Sequence, residues 1–301
     1  MWLRGNTHTH TTYSDGDSPP EVVVDWYAEH GYDFLFLTDH NILIPEDHLA
    51  GLQRPGLAVW QGEEITMAAV HVNGLGLQQV VMPEEPGASA AEAGISRSAV
   101  ERIGWAVEQV EAQDGAAAVN HPNYLWKLTA EDMLASGKFP LLEISNGHPL
   151  SFNDGDDVHP SVEQMWDRLL TAGQRAWGVA SDDAHHFTTW GSDRSNPGRG
   201  WLYVQSDSTR LPDCLDALRE GRFCASSGPE LSDYRGSRAE IALDLACDRA
   251  QVDLVGLEGR VLETIDTESA RFDLRRYKSP YVRIRATDSA GRRLWTQPVF
   301  L

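Results

Sequence analysis

Six short apolar runs in the first two thirds of this chain end the same way, in side chains able to hold a metal ion. Leu3 to Thr7 leads into His8 and His10, Phe34 to Thr38 into Asp39 and His40, and Leu57 to Trp60 into Glu63 and Glu64. Ala116 to Val119 leads into Asn120 and His121, Leu141 to Ile144 into Asn146, and Trp177 to Ala180 into Asp182, Asp183 and His185. Between these strand-like runs lie helix signals. Ser18 reads as an N-cap, Pro19 and Pro20 as a first turn, Val22, Val23, Trp26 and Tyr27 fall at helical spacing, and Gly31 reads as a stop. Further helices are expected near 97–112, 129–135 and 161–170. Strand–helix alternation implies α/β architecture with a parallel sheet. Polar groups at the C-terminal ends of the strands imply closure into a barrel with its site on that face. An open doubly wound sheet is the competing layout.

After Trp201 to Val204 comes one more helical stretch, Pro212 to Glu220, and then the turn-rich Ser226-Ser227-Gly228-Pro229. From there the texture changes. Ile241 to Leu245, Val252 to Leu254, Arg271 to Leu274, Tyr281 to Arg285 and Arg293 to Trp295 alternate apolar and polar residues, the period of half-buried antiparallel strands. The expected organisation is a unit over 1–229 and a small antiparallel β module over 230–301. The segment from Trp295 to Phe300 reads as exposed, free to pack across the larger unit, cover a sheet edge or mediate oligomerisation. Glu84 to Gly94 reads as a flexible loop.

Composition narrows the partners. With 301 residues and 41% hydrophobic content the chain can bury a substantial core. No apolar run approaches the roughly 20 residues that span a bilayer, and the start lacks a basic stretch followed by an apolar one, so a cytoplasmic chain with no membrane partner is expected. Forty-five acidic against 25 basic residues give a net charge of −20. Such a surface repels a phosphate backbone, which argues against nucleic acid as a stable partner. A small anionic substrate stays open, because bound cations can reverse the potential within a site. Cys214, Cys224 and Cys247 are widely spaced and odd in number, and are expected to be reduced thiols.

Residues i and i+2 of a strand share a face, so His8 and His10 can offer two imidazoles to one ion, and Asp183-Ala184-His185 repeats the arrangement. Asp15 follows in a turn that Gly16 permits. Each of these residues taken singly has an ordinary explanation: a hydrogen-bonded histidine, a turn aspartate, a capping Asp39, a solvated Glu64. Their convergence at one mouth is what points to a multi-metal site. Glu63 and Glu64 cannot both face that mouth in an extended strand, and periodicity does not choose between them.

The ordered series H-x-H with S-D-G, T-D-H-N, G-x-E-I-T, H-x-x-G-L, N-H-P and D-x-H, over residues 1–205, resembles the PHP (polymerase and histidinol phosphatase) domain. The resemblance implies a distorted (β/α)7 barrel holding two or three divalent ions. It implies that His8, His10, Glu64 and Asp183 hold one ion, that Glu64 bridges to a second with His71 and His121, and that Asp15, His40 and His185 hold a third. Glu64 takes the glutamate position of the family's G-x-E motif. Asp182, Glu143 and Asn146 receive no ligand role, and Asp17 none at all. Gly198-Arg199-Gly200-Trp201 and the C-terminal stretches also resemble stand-alone members that include the CehA/McbA group, some of which are linked to amide or carbamate hydrolysis.

Mixed histidine and carboxylate donors suit Zn, Mn or Fe. Two close ions can lower the pKa of bound water and neutralise a phosphoryl group. Asp39, His186 and a metal-bound water are the candidates for protonating the leaving group. Arg194 and Arg199 are candidates to clamp a phosphate as planar donors, Arg199 also serving near the reacting group. The expected activity is hydrolysis of a small phosphorylated metabolite. The alternatives are an amide, carbamate or carboxylic ester hydrolase using the same hydroxide, and a non-catalytic, metal-stabilised binding module.

Overall fold

The structure, a computed structural model, describes residues 1–68, 70–83, 97–246 and 249–301. In chain order the first strands are β1 (Trp2–Asn6), β2 (Phe34–Leu37), β3 (Ala58–Met67), β4 (Val70–Leu75), β5 (Ala116–Val119), β6 (Leu141–Asn146), β7 (Trp177–Ser181) and β8 (Trp201–Gln205). The helices are α1 (Pro20–Glu29), α2 (Glu46–Gly51), α3 (Ala99–Glu111), α4 (Ala130–Ala135), α5 (Val162–Thr171) and α6 (Leu211–Arg219). Apolar runs of four residues give strands buried on both faces, as in β2 and β5, because helices cover the sheet. The helices start where polar caps permit: Ser98, Thr129 and Ser161 each complete a capping box with the residue three positions on. Helix α1 differs from expectation. It begins at Pro20 with Pro19 at the cap and no side-chain cap bond, and the Ser18 hydroxyl donates to Asp17 Oδ1 instead, at 2.7 Å.

The pairing is parallel in β1–β2–β3 and again in β5–β6–β7, but β4 is antiparallel to both β3 and β5, and β8 is antiparallel to β1. Among the described residues the ladders do not close into a ring, and the fold is a mixed α/β sheet in place of the expected distorted (β/α)7 barrel. Where β1 and β7 end, their continuations nevertheless exchange two hydrogen bonds, His10 N–H to Ala184 O and Asp183 N–H to His8 O, both 2.9 Å. The apolar run that ends at Trp60 is only the start of β3, a ten-residue strand. Its irregular alternation hid its length, and its hairpin partner β4 has no apolar run long enough to announce it.

Beyond α6 the strands are β9 (Phe223–Ser226), β10 (Leu231–Gly236), β11 (Glu240–Leu245), β12 (Ala250–Val255), β13 (Val261–Thr267), β14 (Ser269–Asp273), β15 (Tyr281–Thr287), β16 (Arg293–Thr296) and β17 (Val299–Phe300). Strands β10, β11 and β14 form a three-stranded sheet, whereas β16 pairs with β9 and so continues the main sheet through β15, β12 and β13. The segment expected to be exposed after Trp295 is mostly buried: Trp295 is 3% and Gln297 3% exposed. The Gln297 amide accepts from Gly178 N–H and donates to Gly178 O, both at 2.8 Å, satisfying backbone groups of the end strand β7. Cys214 and Cys224 are free and buried. Cys247 and the loop expected at Glu84 to Gly94 lie outside the described residues. Among the described residues no helix is long and apolar enough to cross a membrane.

Candidate metal centre

The strand ends bring all nine residues of the expected ligand set together. His8 and His10 leave β1 on one face, Glu64 projects from β3, His71 from β4, and His121, Asp183 and His185 follow β5 and β7. Three overlapping groups of donor atoms result: His8, His10, Glu64 and Asp183; His10, Asp15, His40 and His185; and His40, Glu64 and His71. His121 joins through Nε2, 3.1 Å from Glu64 Oε1. The second group adds His10 to the expected trio, and the third has His40, whose Nδ1 lies 3.0 Å from Glu64 Oε2, in the place expected for His121.

The first group is the tightest. His8 Nε2 and His10 Nε2 are 3.2 Å apart, each lies 3.3 Å from Glu64 Oε2, and each lies 3.2 Å from Asp183 Oδ1. These five distances match the spacing of donors that surround one ion at about 2.0 Å, the distance at which zinc binds nitrogen and oxygen. Asp183 Oδ1 is buried and has no hydrogen-bond partner. Burial by itself would push the His8 pKa down, yet Asp183, Glu64 and Glu143 hold it well above the ordinary imidazole value. Burial would raise Glu64, but His8, His40 and His71 hold it well below the carboxylate range. The place where these atoms meet therefore favours positive charge, and the donor set fits a divalent cation.

Partners behind the donors fix their orientation. Glu143, 1% exposed, accepts from His8 Nδ1 at 2.7 Å and so turns the His8 Nε2 lone pair toward the cluster. His185 Nδ1 donates to Asp183 O at 2.9 Å, leaving Nε2 toward Asp15 Oδ1 at 3.3 Å. Asn120 donates to Glu64 Oε1 at 2.9 Å, and Asn146 to Glu143 Oε2 at 2.9 Å and Asp183 Oδ2 at 3.2 Å. Burial raises the Asp15 carboxyl, but hydrogen bonds from His185 and His40 more than reverse this and hold it well below the usual range. Gly16 is required because a Cβ there would sit 2.8 Å from the His10 and Thr11 backbone. The Glu63–Glu64 ambiguity resolves in favour of Glu64. Glu63 faces away, accepts from Val81 N–H at 2.8 Å, and is pushed up to about 7 by burial.

The residues expected to handle protons and substrate scatter. A cavity of about 260 Å³ over the donors is lined by His186, Tyr124 and His148 besides the expected ligands other than His8 and His10. His186 Nδ1 is buried without a partner. Asp39 does not line the cavity. It is 1% exposed and accepts from the Thr11 and Ser14 amides and hydroxyls at 2.8 to 3.1 Å, so it builds the turn after β1. Arg194 is exposed, 3.8 Å from Asp193, and outside the cavity. Arg199 also lies outside it: its guanidinium donates to Gly147 O, Gly191 O and Asn196 Oδ1. Asp182 accepts from Tyr27 OH and the Arg199 and Gly200 amides, which pins the loop after β7. Tyr124 and His148 escaped sequence reasoning because neither sits in a motif. Glu143 and Asn146 carried a signal, their position at a strand end.

No family model matches the chain, and no curated protein matches its sequence. Among solved structures, a two-domain protein from Bacteroides vulgatus containing a predicted PHP-like metal-dependent phosphoesterase matches 95% of this chain and 91% of its own, at 16% identity and a TM-score of 0.53. The fold is thus PHP-like, and the likeness extends into the strands after residue 230. A metal-dependent phosphoesterase, so described, from Bifidobacterium adolescentis (17% identity, 72% of this chain, 94% of that one, TM-score 0.44) is more distant in shape. So is an amidohydrolase from Chromobacterium violaceum (18%, 73%, 96%, 0.41), and neither bears on the fold.

Proposed function

We propose that this chain is a metal-dependent phosphoesterase acting on a small phosphorylated molecule. The observation that carries the reading is the convergence of His8, His10, Glu64 and Asp183 at 3.2 to 3.3 Å beneath an open cavity. These four would hold one ion of the Zn, Mn or Fe type, Glu64 with His71 and His121 a second, and Asp15, His40 and His185 a third. Bound ions would activate water and neutralise charge on a phosphoryl group. The chain's own residues keep that chemistry in register. Glu143 and the Asp183 carbonyl select the imidazole tautomers of His8 and His185, while Asn120 and Asn146 hold the carboxylates of Glu64 and Asp183. Burial of His8, His10 and Glu64 excludes competing solvent from the floor of the site. Tyr124 and His148 form its walls, and His186 is the remaining candidate to deliver a proton to the leaving group. The test is elemental analysis of the purified protein with parallel assays on a phosphomonoester panel and an aryl carbamate. Bound divalent metal with phosphomonoester turnover is expected. Turnover of the carbamate alone would move the reading to amide-type hydrolysis, and metal-free protein inert on both would end it.

A further inference from the structure

A second and larger cavity, of about 430 Å³, adjoins the candidate metal centre, and among the described residues His148 is the one lining both. One wall is the loop after β6, built rigidly: Asn153 Oδ1 accepts from Asn146 N–H at 3.0 Å, and the Ser151 hydroxyl donates to Asn146 O at 2.9 Å. The C-terminal segment lines it too, through Arg292 in a turn and Arg293 and Trp295 on β16. Arg199 lines the same space, and among the described residues its guanidinium makes no ion pair, only hydrogen bonds to two carbonyls and an amide oxygen. The carboxylates on the lining are already matched. Asp154 pairs with Arg293 at 2.6 Å, and Glu163 with Arg283 at 2.7 Å and Arg285 at 3.4 Å. Arg293 engages Asp154 through Nη1 alone, and Arg292 holds Asp288 through Nε and Nη2. The cavity therefore collects three guanidinium groups with donors to spare, in a chain whose net charge of −20 repels anions elsewhere.

The connection to the metal centre is direct. Leu150 N–H donates to His148 Nδ1 at 3.2 Å, so the neutral ring carries its proton on Nε2 and can act as a donor between the two spaces. Asn146 accepts from His148 N–H at 2.8 Å while its amide holds Asp183, tying the shared wall to the metal donors.

We infer that this cavity is a subsite for a second anionic group, a carboxylate or a phosphate, on the part of the substrate that leaves, and that the C-terminal segment supplies two of its three arginines. The inference rests on the phosphoesterase reading, and the experiment separates the two. Steady-state kinetics on phenyl phosphate and on its 2-, 3- and 4-carboxy derivatives would give the preference as a ratio of kcat/KM. A preference of roughly tenfold or more for one carboxy isomer is expected, carried by KM and reduced severalfold in Arg292→Ala and Arg293→Ala, with partial return in Arg293→Lys. Calorimetric titration of benzylphosphonate, its 4-carboxy derivative and the corresponding bisphosphonate reads the same contribution without turnover, and the arm that gains more names the anion. Arg199→Ala is a poorer probe because it also frees the Gly147 and Gly191 carbonyls. Turnover without any preference, or a preference untouched in both the Arg292 and Arg293 variants, overturns the subsite while leaving the phosphoesterase. Absence of turnover with an arginine-dependent gain in titration sustains the subsite and removes the phosphoesterase.

Discussion

The cluster around His8 and the cluster around Arg283 both bury carboxylates almost completely, but only the second carries its own cation. Arg283 on β15 is fully buried. It donates through Nε and Nη2 to Asp167 of α5 at 3.1 and 2.7 Å, and lies 2.7 Å from Glu163. Tyr281 OH adds a bond to Asp167 at 3.1 Å, and the guanidinium covers Trp166 at 4.7 Å. Planar donors meet planar acceptors, and the result is a closed joint between the C-terminal strands and the main sheet's helix layer. At the strand ends the buried carboxylates of Glu64, Asp183 and Glu143 meet, among the described residues, no arginine or lysine; their ionisable partners are histidines, which are neutral unless protonated, and the donors face inward at mutual distances that suit an ion. Equal burial therefore means docking in one place and ion binding in the other, and the difference lies in whether a permanent cation is covalently present.

The strongest break of this comparison is at the strand ends. His8→Ala combined with His121→Ala should remove bound metal and lower phosphomonoester turnover by roughly a thousandfold or more, while a circular dichroism spectrum stays native. The reciprocal change, Arg283→Met, should leave metal stoichiometry intact and cost about 3 to 5 kcal/mol in a denaturant titration, because Asp167 and Glu163 stay buried without their cation. Should Arg283→Met strip the metal instead, the two clusters are one unit. Glu143→Gln tests the support behind His8: metal affinity, measured by competition with a chelator, should fall about 10- to 100-fold with the fold unchanged.

The smallest effect is a pH slope. The Glu63 carboxyl is pushed up to about 7 by burial, whereas an unfolded glutamate titrates near 4.3. Between those values the folded state holds the extra proton, so stability should decrease as pH rises from about 4.3 to about 7 and level off above. Glu63→Gln should flatten that slope and stabilise the protein at pH 8 by on the order of 1 to 2 kcal/mol. Equal slopes in thermal melts of both proteins would show that Glu63 does not bury a proton.

The strand ends were legible because two simple periodicities meet there. Apolar runs of four to six residues mark buried strands, and His8/His10 and Asp183/His185 at i, i+2 must share a face. The docking joint was not legible. Arg283 alternates with apolar residues in Tyr281-Val282-Arg283-Ile284-Arg285 as any solvent-facing arginine of an edge strand would, and nothing local says that Asp167, 116 residues earlier, waits for it. Asp39 misled for the same reason. A carboxylate beside a candidate ligand histidine reads as chemistry until Thr11 and Ser14 are seen to occupy it.

The sequence by itself therefore determined the α/β alternation, the antiparallel texture after residue 230, and which residue types gather at the mouth, because each follows from backbone geometry over a few neighbours. Only the tertiary structure decided the antiparallel course of β4 and β8 and the continuation of the main sheet into the C-terminal strands. It also decided the second cavity, with Arg199 in its wall and His148 shared with the first. Those depend on contacts between segments distant in the chain, whose energies are set by burial and pairing that no local pattern encodes.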